Sequence, residues 1–244
     1  MCYATSLTKS KKEIEETFKR DFAVPLEYQK HYHLNGFGSG MLHIIPMETD
    51  HIYPSSWGLI PEYAFEDPAG FKADYNTLNA RSESIFSSRT YKKSAAEGRC
   101  LIIADGFYEP HHYKNKSQPY YCRLEGHQLF AFAGLYTELD DELYSASIIT
   151  VPANELFEQI HNKKKRMPLV LDDLFLDSWI ESGLNQKQVE ELIRVGFTNT
   201  PFETYPVSNA IYKRGVETDV PGILEPVEPI DPALGGGAEE LTLF

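Results

Sequence analysis

Cys100-Leu101-Ile102-Ile103-Ala104, followed directly by Asp105-Gly106-Phe107-Tyr108-Glu109-Pro110, is the stretch of sequence that decides the fold. Its first five residues are all apolar, which is typical of a strand that is buried on both faces of a sheet. The chain then runs into an aromatic segment that carries the carboxyl group of Glu109. The stretch therefore predicts a buried strand with a polar segment at its end.

Other strand signals surround this one. Residues 119–124, 128–136 and 145–151 are predicted strands at regular spacing, and the second of them mixes large and small residues as a packed sheet does. Residues 41–45 and 167–171 are shorter apolar strands. A further short strand at 57–61 is expected to lead into a loop, and the glycine-rich residues 36–40 are expected to form a flexible turn.

Helix signals are fewer. Residues 10–22 predict a helix, because Ser10 and Glu13 have capping-box spacing and apolar residues recur every four positions. Asn154 can cap a short helix that ends near His161. Two more helices are predicted, starting near residues 172 and 185 and ending at glycines. Many short strands with occasional helices indicate the α+β class, in one domain over residues 1–216.

Composition excludes several classes of protein. The 244 residues carry a net charge of −13, which argues against non-specific duplex binding, since that depends on neutralising phosphates. Any nucleic-acid site must be a local basic groove. Three cysteines make no disulfide framework, and neither a signal peptide nor an apolar run of membrane-spanning length is evident. We expect a soluble cytoplasmic protein with no membrane contact, and a monomer.

The end of the chain differs from the rest. Residues 217–244 are rich in Pro, Gly and acidic residues and contain no Lys or Arg, so a disordered acidic tail is predicted there. The tail ends in Glu239-Glu240-Leu241-Thr242-Leu243-Phe244. A frayed acidic end is the ordinary interpretation. Two Leu and a Phe at its tip nevertheless resemble the pentapeptide that binds bacterial sliding clamps, with Glu240, Leu241, Leu243 and Phe244 as the contact residues.

The beginning of the chain offers unusual chemistry. If Met1 is removed, Cys2 becomes the first residue and carries an α-amine and a thiol on adjacent carbons. Their ordinary pKa values are roughly 7.7–8.0 and 8.5, so both have reactive fractions near neutral pH. An aldehyde can form a Schiff base with the amine, and the thiol can then close a thiazolidine ring. A Cys at position 2 also occurs by chance, so the hypothesis depends on other residues.

Four further polar residues fit that chemistry. Glu109 and His161 can transfer protons during condensation and dehydration, the amide of Asn79 can hold the α-amine, and Arg81 can bind a phosphate through two parallel hydrogen bonds. Taken singly, a strand-end Glu is usually solvated and a helix-end His usually caps carbonyls. The His111-His112 pair lacks the companion ligands of a zinc site, so no metal is expected.

Taken in order, these segments resemble the SOS response associated peptidase (SRAP) family, the abasic-site-processing proteins, over roughly residues 2–210. The resemblance implies a single α+β domain whose mostly antiparallel sheets curl into an open barrel-like core with flanking helices. It rests on the following segments: Met1-Cys2, Trp57-Gly58-Leu59-Ile60-Pro61, Asn79-Ala80-Arg81-Ser82-Glu83, Arg99-Cys100-Leu101-Ile102, Asp105-Gly106-Phe107-Tyr108-Glu109, Ile160-His161 and Arg166-Met167-Pro168-Leu169-Val170-Leu171.

The resemblance also implies an activity. Cys2, exposed by loss of Met1 through self-cleavage, would link covalently to the ring-opened aldehyde of an abasic site in single-stranded DNA, without a cofactor. Asn79 would orient the amine, Glu109 would act as general acid and base, and His161 would assist proton transfer. Four side chains are expected to contact the DNA: Arg81, Trp57, Tyr108 and Arg166.

This sequence departs from the family pattern at two places. The family commonly begins Cys-Gly-Arg, where this chain has Cys2-Tyr3-Ala4, and it usually has Trp after the Glu, where this chain has Pro110. Tyr108, His111 or His112 compensates for the missing ring, or the DNA affinity is lower. Two other functions stay open: a thiol peptidase that acts through Cys2, and a non-catalytic lesion adaptor tethered to the sliding clamp.

Overall fold

The computed structural model describes residues 2–24, 28–140 and 143–234, and within these ranges the chain is dominated by β-structure. The strands are β1 (Ala4–Leu7), β2 (Asp21–Phe22), β3 (His31–Asn35), β4 (Met41–Pro46), β5 (His51–Trp57), β6 (Asn79–Arg81), β7 (Arg99–Ala104), β8 (Gly106–Tyr113), β9 (Lys116–Leu124), β10 (Phe130–Asp140), β11 (Leu143–Pro152), β12 (Arg166–Pro168) and β13 (Phe202–Pro206).

The helices are short and lie around the sheets. They are α1 (Lys11–Phe18), α2 (Pro68–Asp74), α3 (Lys92–Glu97), α4 (Glu155–Ile160), α5 (Leu176–Trp179) and α6 (Gln186–Val195). The predicted capping box of α1 is present, with the Ser10 hydroxyl accepting from the Glu13 amide. No helix among the described residues is both long enough and apolar enough to cross a membrane.

A closed barrel forms the centre of the molecule. Its strands follow the order β11, β10, β7, β4 and β5, and a parallel pairing of β5 with β11 closes the ring. Every residue of β7 is buried, as the apolar run that begins at Cys100 predicts. The α+β class with one domain and a curled, mostly antiparallel core is therefore confirmed, and the barrel is closed where an open one was expected.

A second sheet carries Glu109 in β8, and Cys2 lies just ahead of its strand β1. Its order is β13, β9, β8, β1 and β3, with all neighbours antiparallel. Side chains alternate between the two faces of a strand, so Phe107 and Glu109 of β8 point to the same side. Phe107 packs edge-on against Phe130 and Phe132 of β10, with ring centroids 6.3 and 5.7 Å apart. This contact joins the sheet to the barrel and directs Glu109 into the space between them.

The C-terminal segment corrects the predicted disordered tail. Residues 217–234 pack on the second sheet, where Asp219 accepts hydrogen bonds from the Tyr32 and His33 amides of β3. Ile223 is buried, and the Val227 amide donates to the Pro206 carbonyl of β13. Polar side chains that bind specific backbone groups therefore order a segment whose composition is typical of disorder. Glu240, Leu241, Leu243 and Phe244 lie outside the described residues.

Two segments differ from the predicted elements. The helix expected to start near residue 172 contains only a 3-10 turn (Asp173–Phe175) and the four-residue α5. The polar segment expected after the buried strand is itself a strand, because β8 runs from Gly106 through Pro110 to Tyr113 in a hairpin with β9. Local propensity is overridden here by pairing with a long neighbouring strand.

Candidate active site

Cys2 lies directly ahead of β1, which is held between β3 and β8. Its side chain is fully buried, and its Sγ lies 3.5 Å from the Ala4 carbonyl oxygen. Burial raises the pKa of the Cys2 thiol well above its ordinary value, and the negative charge of Glu109 raises it further. The thiol is therefore neutral near pH 7, and a base has to take its proton before or during any attack.

Asn79 reaches Cys2 from the barrel side. It begins β6, a short strand that pairs in parallel with β11. Its Nδ2 donates a 2.8 Å hydrogen bond to the Cys2 carbonyl oxygen, and the hydroxyl of Tyr91 donates to the Asn79 carbonyl at 3.2 Å. Its amide oxygen Oδ1 is buried and accepts no hydrogen bond from the part of the chain that the structure describes. The Asn79 side chain therefore holds Cys2 through Nδ2, and its Oδ1 can still accept a hydrogen bond.

Glu109 is the buried acid of the site. It is completely inaccessible within β8, and burial raises the pKa of its carboxyl group from 4.5 to about 7. A group with a pKa near the working pH can both accept and donate a proton, which is the requirement for general acid–base catalysis. The fold thus tunes Glu109 for proton transfer beside a thiol that needs a base.

His161 lies at the C-terminal end of α4 and faces Glu109. Its Nδ1 is 3.1 Å from Oε2 of Glu109 and 2.8 Å from the Arg166 carbonyl oxygen. Burial lowers the pKa of the imidazole to about 4, so the ring is neutral at physiological pH. Because Nδ1 faces acceptors, it carries the proton, and Nε2 is the basic nitrogen of the ring.

His111 holds the helix that presents His161, a role that no sequence motif predicts. Its Nδ1 lies 2.9 Å from the Gln159 carbonyl oxygen and 3.2 Å from that of Ile160. Its Nε2 lies 3.2 Å from Oδ2 of Asp231 in the C-terminal segment. Both ring nitrogens of His111 thus face oxygen atoms, one on α4 and one on the C-terminal segment, and the side chain ties these two segments together. No local sequence pattern indicates these contacts, since the partners are far apart in the chain.

Two of the residues expected to contact DNA border the site. Arg81 is exposed at the end of β6, and its charge opposes the rise that burial causes in the pKa of Tyr3. Tyr108 is buried in β8, where its hydroxyl donates a 2.5 Å hydrogen bond to the Tyr32 carbonyl and its ring meets His33 edge-on at 5.2 Å. The exposed side chain of Arg81 can therefore bind a phosphate, whereas the buried ring of Tyr108 has little surface with which to contact a base.

Trp57 and Arg166 occupy supporting positions instead. Trp57 is buried at the end of β5, and its Nε1 donates to the Leu78 carbonyl at 2.9 Å, so its ring has no face open to a base. Arg166 binds both carboxyl oxygens of Glu83, at 2.6 and 3.0 Å, and also the Thr150 carbonyl. Its side chain is 12% exposed. These contacts fix the backbone carbonyl that receives His161, so the expected DNA contacts of Trp57 and Arg166 are not supported by their placement.

The structure brings Cys2, Asn79, Glu109 and His161 together from four elements. In the described residues, no group of three or more His, Cys, Asp or Glu side chains is placed to hold a metal ion. The thiol is not ionised in advance, and a carboxyl group with a pKa near 7 lies next to it. This is the arrangement of a thiol nucleophile that works with a separate general acid and base.

The chain belongs to the SOS response associated peptidase (SRAP) family, whose model matches residues 1–214. It is 30% identical over 217 residues to the abasic site processing protein YoqW of Bacillus subtilis, covering 86% of this chain and 94% of the relative. It is 31% identical over 198 residues to the abasic site processing protein HMCES of Gallus gallus, covering 70% and 56%.

A solved structure supports the same fold. A protein from Bacteroides thetaiotaomicron has a TM-score of 0.80 and 25% sequence identity to this chain, and the match covers 93% of this chain and all of the other. The family resemblance inferred from the sequence motifs is therefore confirmed.

Proposed function

We propose that this protein processes abasic sites by forming a covalent thiazolidine link between Cys2 and the open-chain aldehyde of the lesion in single-stranded DNA. The observation that carries the proposal is the contact of Cys2 with Asn79 beside the Glu109–His161 pair. The names of the relatives support the substrate class, since YoqW and HMCES are both called abasic site processing proteins.

The reaction begins with removal of Met1. Hydrolysis of the Met1–Cys2 peptide bond adds one water and converts the amide nitrogen of Cys2 into an α-amine. The amine adds to the aldehyde carbon to give a carbinolamine, which loses its oxygen as water to form an imine. The sulfur then adds to the imine carbon, and the nitrogen takes up a proton. The closed ring equals protein plus aldehyde minus one water.

Glu109 supplies the proton transfers in this scheme. As a carboxylic acid it donates a proton to the departing hydroxyl of the carbinolamine, and as a carboxylate it takes the thiol proton during ring closure. Both forms are populated near pH 7, because burial raises the pKa of Glu109 to about 7. The neutral thiol of Cys2 makes this base necessary.

Asn79 and His161 position the reactants and relay protons. Asn79 already holds the Cys2 carbonyl through Nδ2. Its buried Oδ1, which has no hydrogen-bond partner in the described residues, is the acceptor for the new amine in this scheme. His161 is neutral, because burial lowers its pKa to about 4, and it donates through Nδ1 toward Glu109. In the reverse direction, this pair returns a proton to sulfur and reopens the ring.

A denaturing gel tests the proposal. Mature protein is incubated with a single-stranded oligonucleotide that carries one abasic site, and a shifted band that survives denaturation is expected. Cys2→Ala should abolish the band, whereas Cys122→Ala, which removes another buried thiol, should leave it. The absence of a band with intact Cys2 would sink the covalent mechanism and favour a non-covalent lesion adaptor.

We further propose that the chain removes its own Met1. Protein made in a cell-free system with aminopeptidase inhibited should lose one methionine by intact mass, at a rate independent of protein concentration. Glu109→Gln should slow this loss. A rate that rises in proportion to protein concentration would show cleavage between molecules and would favour a thiol peptidase that acts on other chains.

The C-terminal residues are proposed to bind a sliding clamp, on the strength of the sequence alone. Glu240, Leu241, Leu243 and Phe244 would dock in an apolar groove, as short peptide motifs do. Deletion of Leu241–Phe244 should abolish binding to a purified bacterial clamp and leave cross-linking unchanged. Equal clamp binding with and without these residues would contradict the proposal.

A further inference from the structure

A cavity of about 380 Å³ lies on the other face of β8 from Glu109. Its walls include Tyr3 and Ala4, which directly follow Cys2, and Tyr108 and Pro110, which flank Glu109. The charge of Glu109 adds to burial in raising the pKa of Tyr3, and it also contributes to the raised pKa of Tyr212, another residue that lines the cavity. The cavity therefore adjoins the reaction centre while remaining separate from it.

The mouth of this cavity is unusually aromatic and exposed. Phe37 is 66% exposed and Tyr212 is 51% exposed, although both line the cavity. The Tyr3 ring packs against Phe37 with centroids 5.2 Å apart. Exposed rings around an apolar hollow are a costly surface to leave in water, and their faces suit a flat aromatic ligand.

A positively charged loop borders the same cavity. Asn162 is joined to the backbone of His112, a residue of the cavity wall, by two hydrogen bonds of 3.0 and 2.7 Å. Lys163 and Lys164 follow in the exposed turn. Burial is the main cause of the lowered pKa of His112, and the positive charge of Lys163 is the second cause. Lys165 pairs with Glu158 instead. Positive charge thus reaches the rim of an apolar hollow in a chain whose net charge is −13.

We propose that this cavity and loop form a nucleotide subsite for the strand that carries the lesion. The cavity takes one unstacked base next to the abasic site, and Lys163 and Lys164 take the neighbouring backbone phosphates. An apolar cavity with aromatic walls and a cationic rim matches a base with its phosphate better than it matches an acidic peptide or a lipid chain. The inference rests on the proposed function, because it concerns the same DNA strand.

The base pocket is tested with oligonucleotides that cannot react. A strand with one tetrahydrofuran abasic analogue is compared with strands that carry a second analogue immediately 5′ or 3′ of it. For the wild-type protein, removing the base on one side should weaken binding roughly 5- to 100-fold, which is the range expected for one base–aromatic stack. Tyr212→Ala and Phe37→Ala should each weaken binding of the strand with one analogue. For these variants, adding the second analogue should not weaken binding further. Tyr63→Ala, an exposed ring at a different cavity, is the control.

The lysine loop is tested by salt dependence. Each lost phosphate contact on a single strand lowers the slope of log Kd against log salt by about 0.7. Lys163→Ala/Lys164→Ala should therefore lower the slope by about 1.4, whereas Lys12→Ala, an exposed lysine on α1, should leave it unchanged.

The outcomes separate this subsite from the proposed function. Wild-type protein that cross-links to an abasic strand, yet loses nothing when either flanking base is removed, overturns the base pocket and leaves the proposed function standing. An unchanged salt slope in the double lysine variant overturns the phosphate contacts. Failure of the proposed function shows itself differently, as the absence of the covalent band with the reactive strand. The strand comparison uses wild-type protein, so misfolding of a variant cannot mask the answer.

Discussion

Asp105 and Glu109 are two buried carboxyl groups four residues apart, and the fold treats them in opposite ways. Asp105, at the turn before β8, accepts hydrogen bonds from the Ser6 hydroxyl at 2.7 Å and from the amide and hydroxyl of Thr8 at 2.7 and 2.5 Å. Burial alone would raise the pKa of Asp105, but hydrogen bonds from His127, Thr8 and Ser6 outweigh it and lower the pKa. At Glu109, burial prevails and raises the pKa to about 7.

The difference shows how one short segment of chain can carry a structural acid and the acid that we propose for catalysis. Burial penalises the charged form of both groups, and the donors nearby decide the outcome. Asp105 is held ionised and ties β1 to the start of β8. Glu109 stays close to the point where it loses or gains a proton, beside the thiol of Cys2. Mutation of Asp105 should therefore change mainly the free energy of unfolding, and mutation of Glu109 should change mainly the rate of cross-linking.

Glu109→Gln should have the largest effect on activity. The amide keeps the size of the side chain but cannot transfer a proton, so the rate of cross-linking should fall about 10²- to 10⁴-fold. The rate is measured by quenched time points on a denaturing gel, and the far-ultraviolet circular dichroism should be unchanged. A wild-type rate for this variant would remove Glu109 from the mechanism.

Asp105→Asn should have the largest effect on stability. The amide nitrogen would face the donors of Thr8, so buried charged hydrogen bonds are lost and the free energy of unfolding should drop by about 2–4 kcal/mol. Urea titration measures the drop. The cross-linking rate of the folded fraction should match that of wild type, and a large loss of rate without a loss of stability would contradict the structural role of Asp105.

Glu109 and His161 should make opposite contributions to the pH dependence of the free energy of unfolding. The pKa of Glu109 is raised from 4.5 to about 7 on folding, so its contribution to stability falls as pH rises between these values. The pKa of His161 is lowered from 6.5 to about 4, so its contribution is lost as pH falls through that window. The two slopes oppose one another in the wild-type protein.

Removing either partner should expose the other slope. The free energy of unfolding of Glu109→Gln should rise from pH 4 to pH 6.5, and that of His161→Asn should fall from pH 4.5 to pH 7, by roughly 3 kcal/mol at most. Urea titrations at closely spaced pH values measure both slopes. Parallel curves for the two variants and the wild-type protein would mean that neither group is perturbed.

His127→Ala should have the smallest effect. The Nε2 atom of His127 lies 3.5 Å from Oδ2 of Asp105, and the side chain is partly exposed. Its loss should raise the pKa of Asp105 toward its ordinary range and lower the free energy of unfolding by about 1 kcal/mol. Cross-linking should not change. A loss of cross-linking comparable to that of Glu109→Gln would mean that the two acids do not act independently.

Sequence patterns predicted the parts of the molecule that depend on local signals. The apolar run before Asp105 is strand β7, and the strand signals at 128–136 and 145–151 coincide with most of β10 and β11. The motif pieces that contain Cys2, Asn79, Glu109 and His161 do meet in one place.

Contacts between segments far apart in the chain could not be predicted from sequence patterns. The parallel contact between β5 and β11 that closes the barrel joins segments about ninety residues apart and leaves no local pattern. Residues 217–234 have the composition of a disordered segment, yet Asp219 and Asp231 bind specific groups on the second sheet. Trp57 looked like a DNA contact because of its motif, but its position on a barrel strand buries it.

The most direct test of the account is the mass of the N-terminal peptide after cross-linking. The mature protein is linked to an abasic oligonucleotide, digested with nuclease and protease, and measured by mass spectrometry alongside protein that retains Met1. We predict that the peptide beginning at Cys2 carries the sugar remnant with loss of one water, that neither its amine nor its thiol can be alkylated, and that the Met1 protein forms no such adduct. An adduct on Lys163 or another lysine, or an equal yield with Met1 in place, would contradict it.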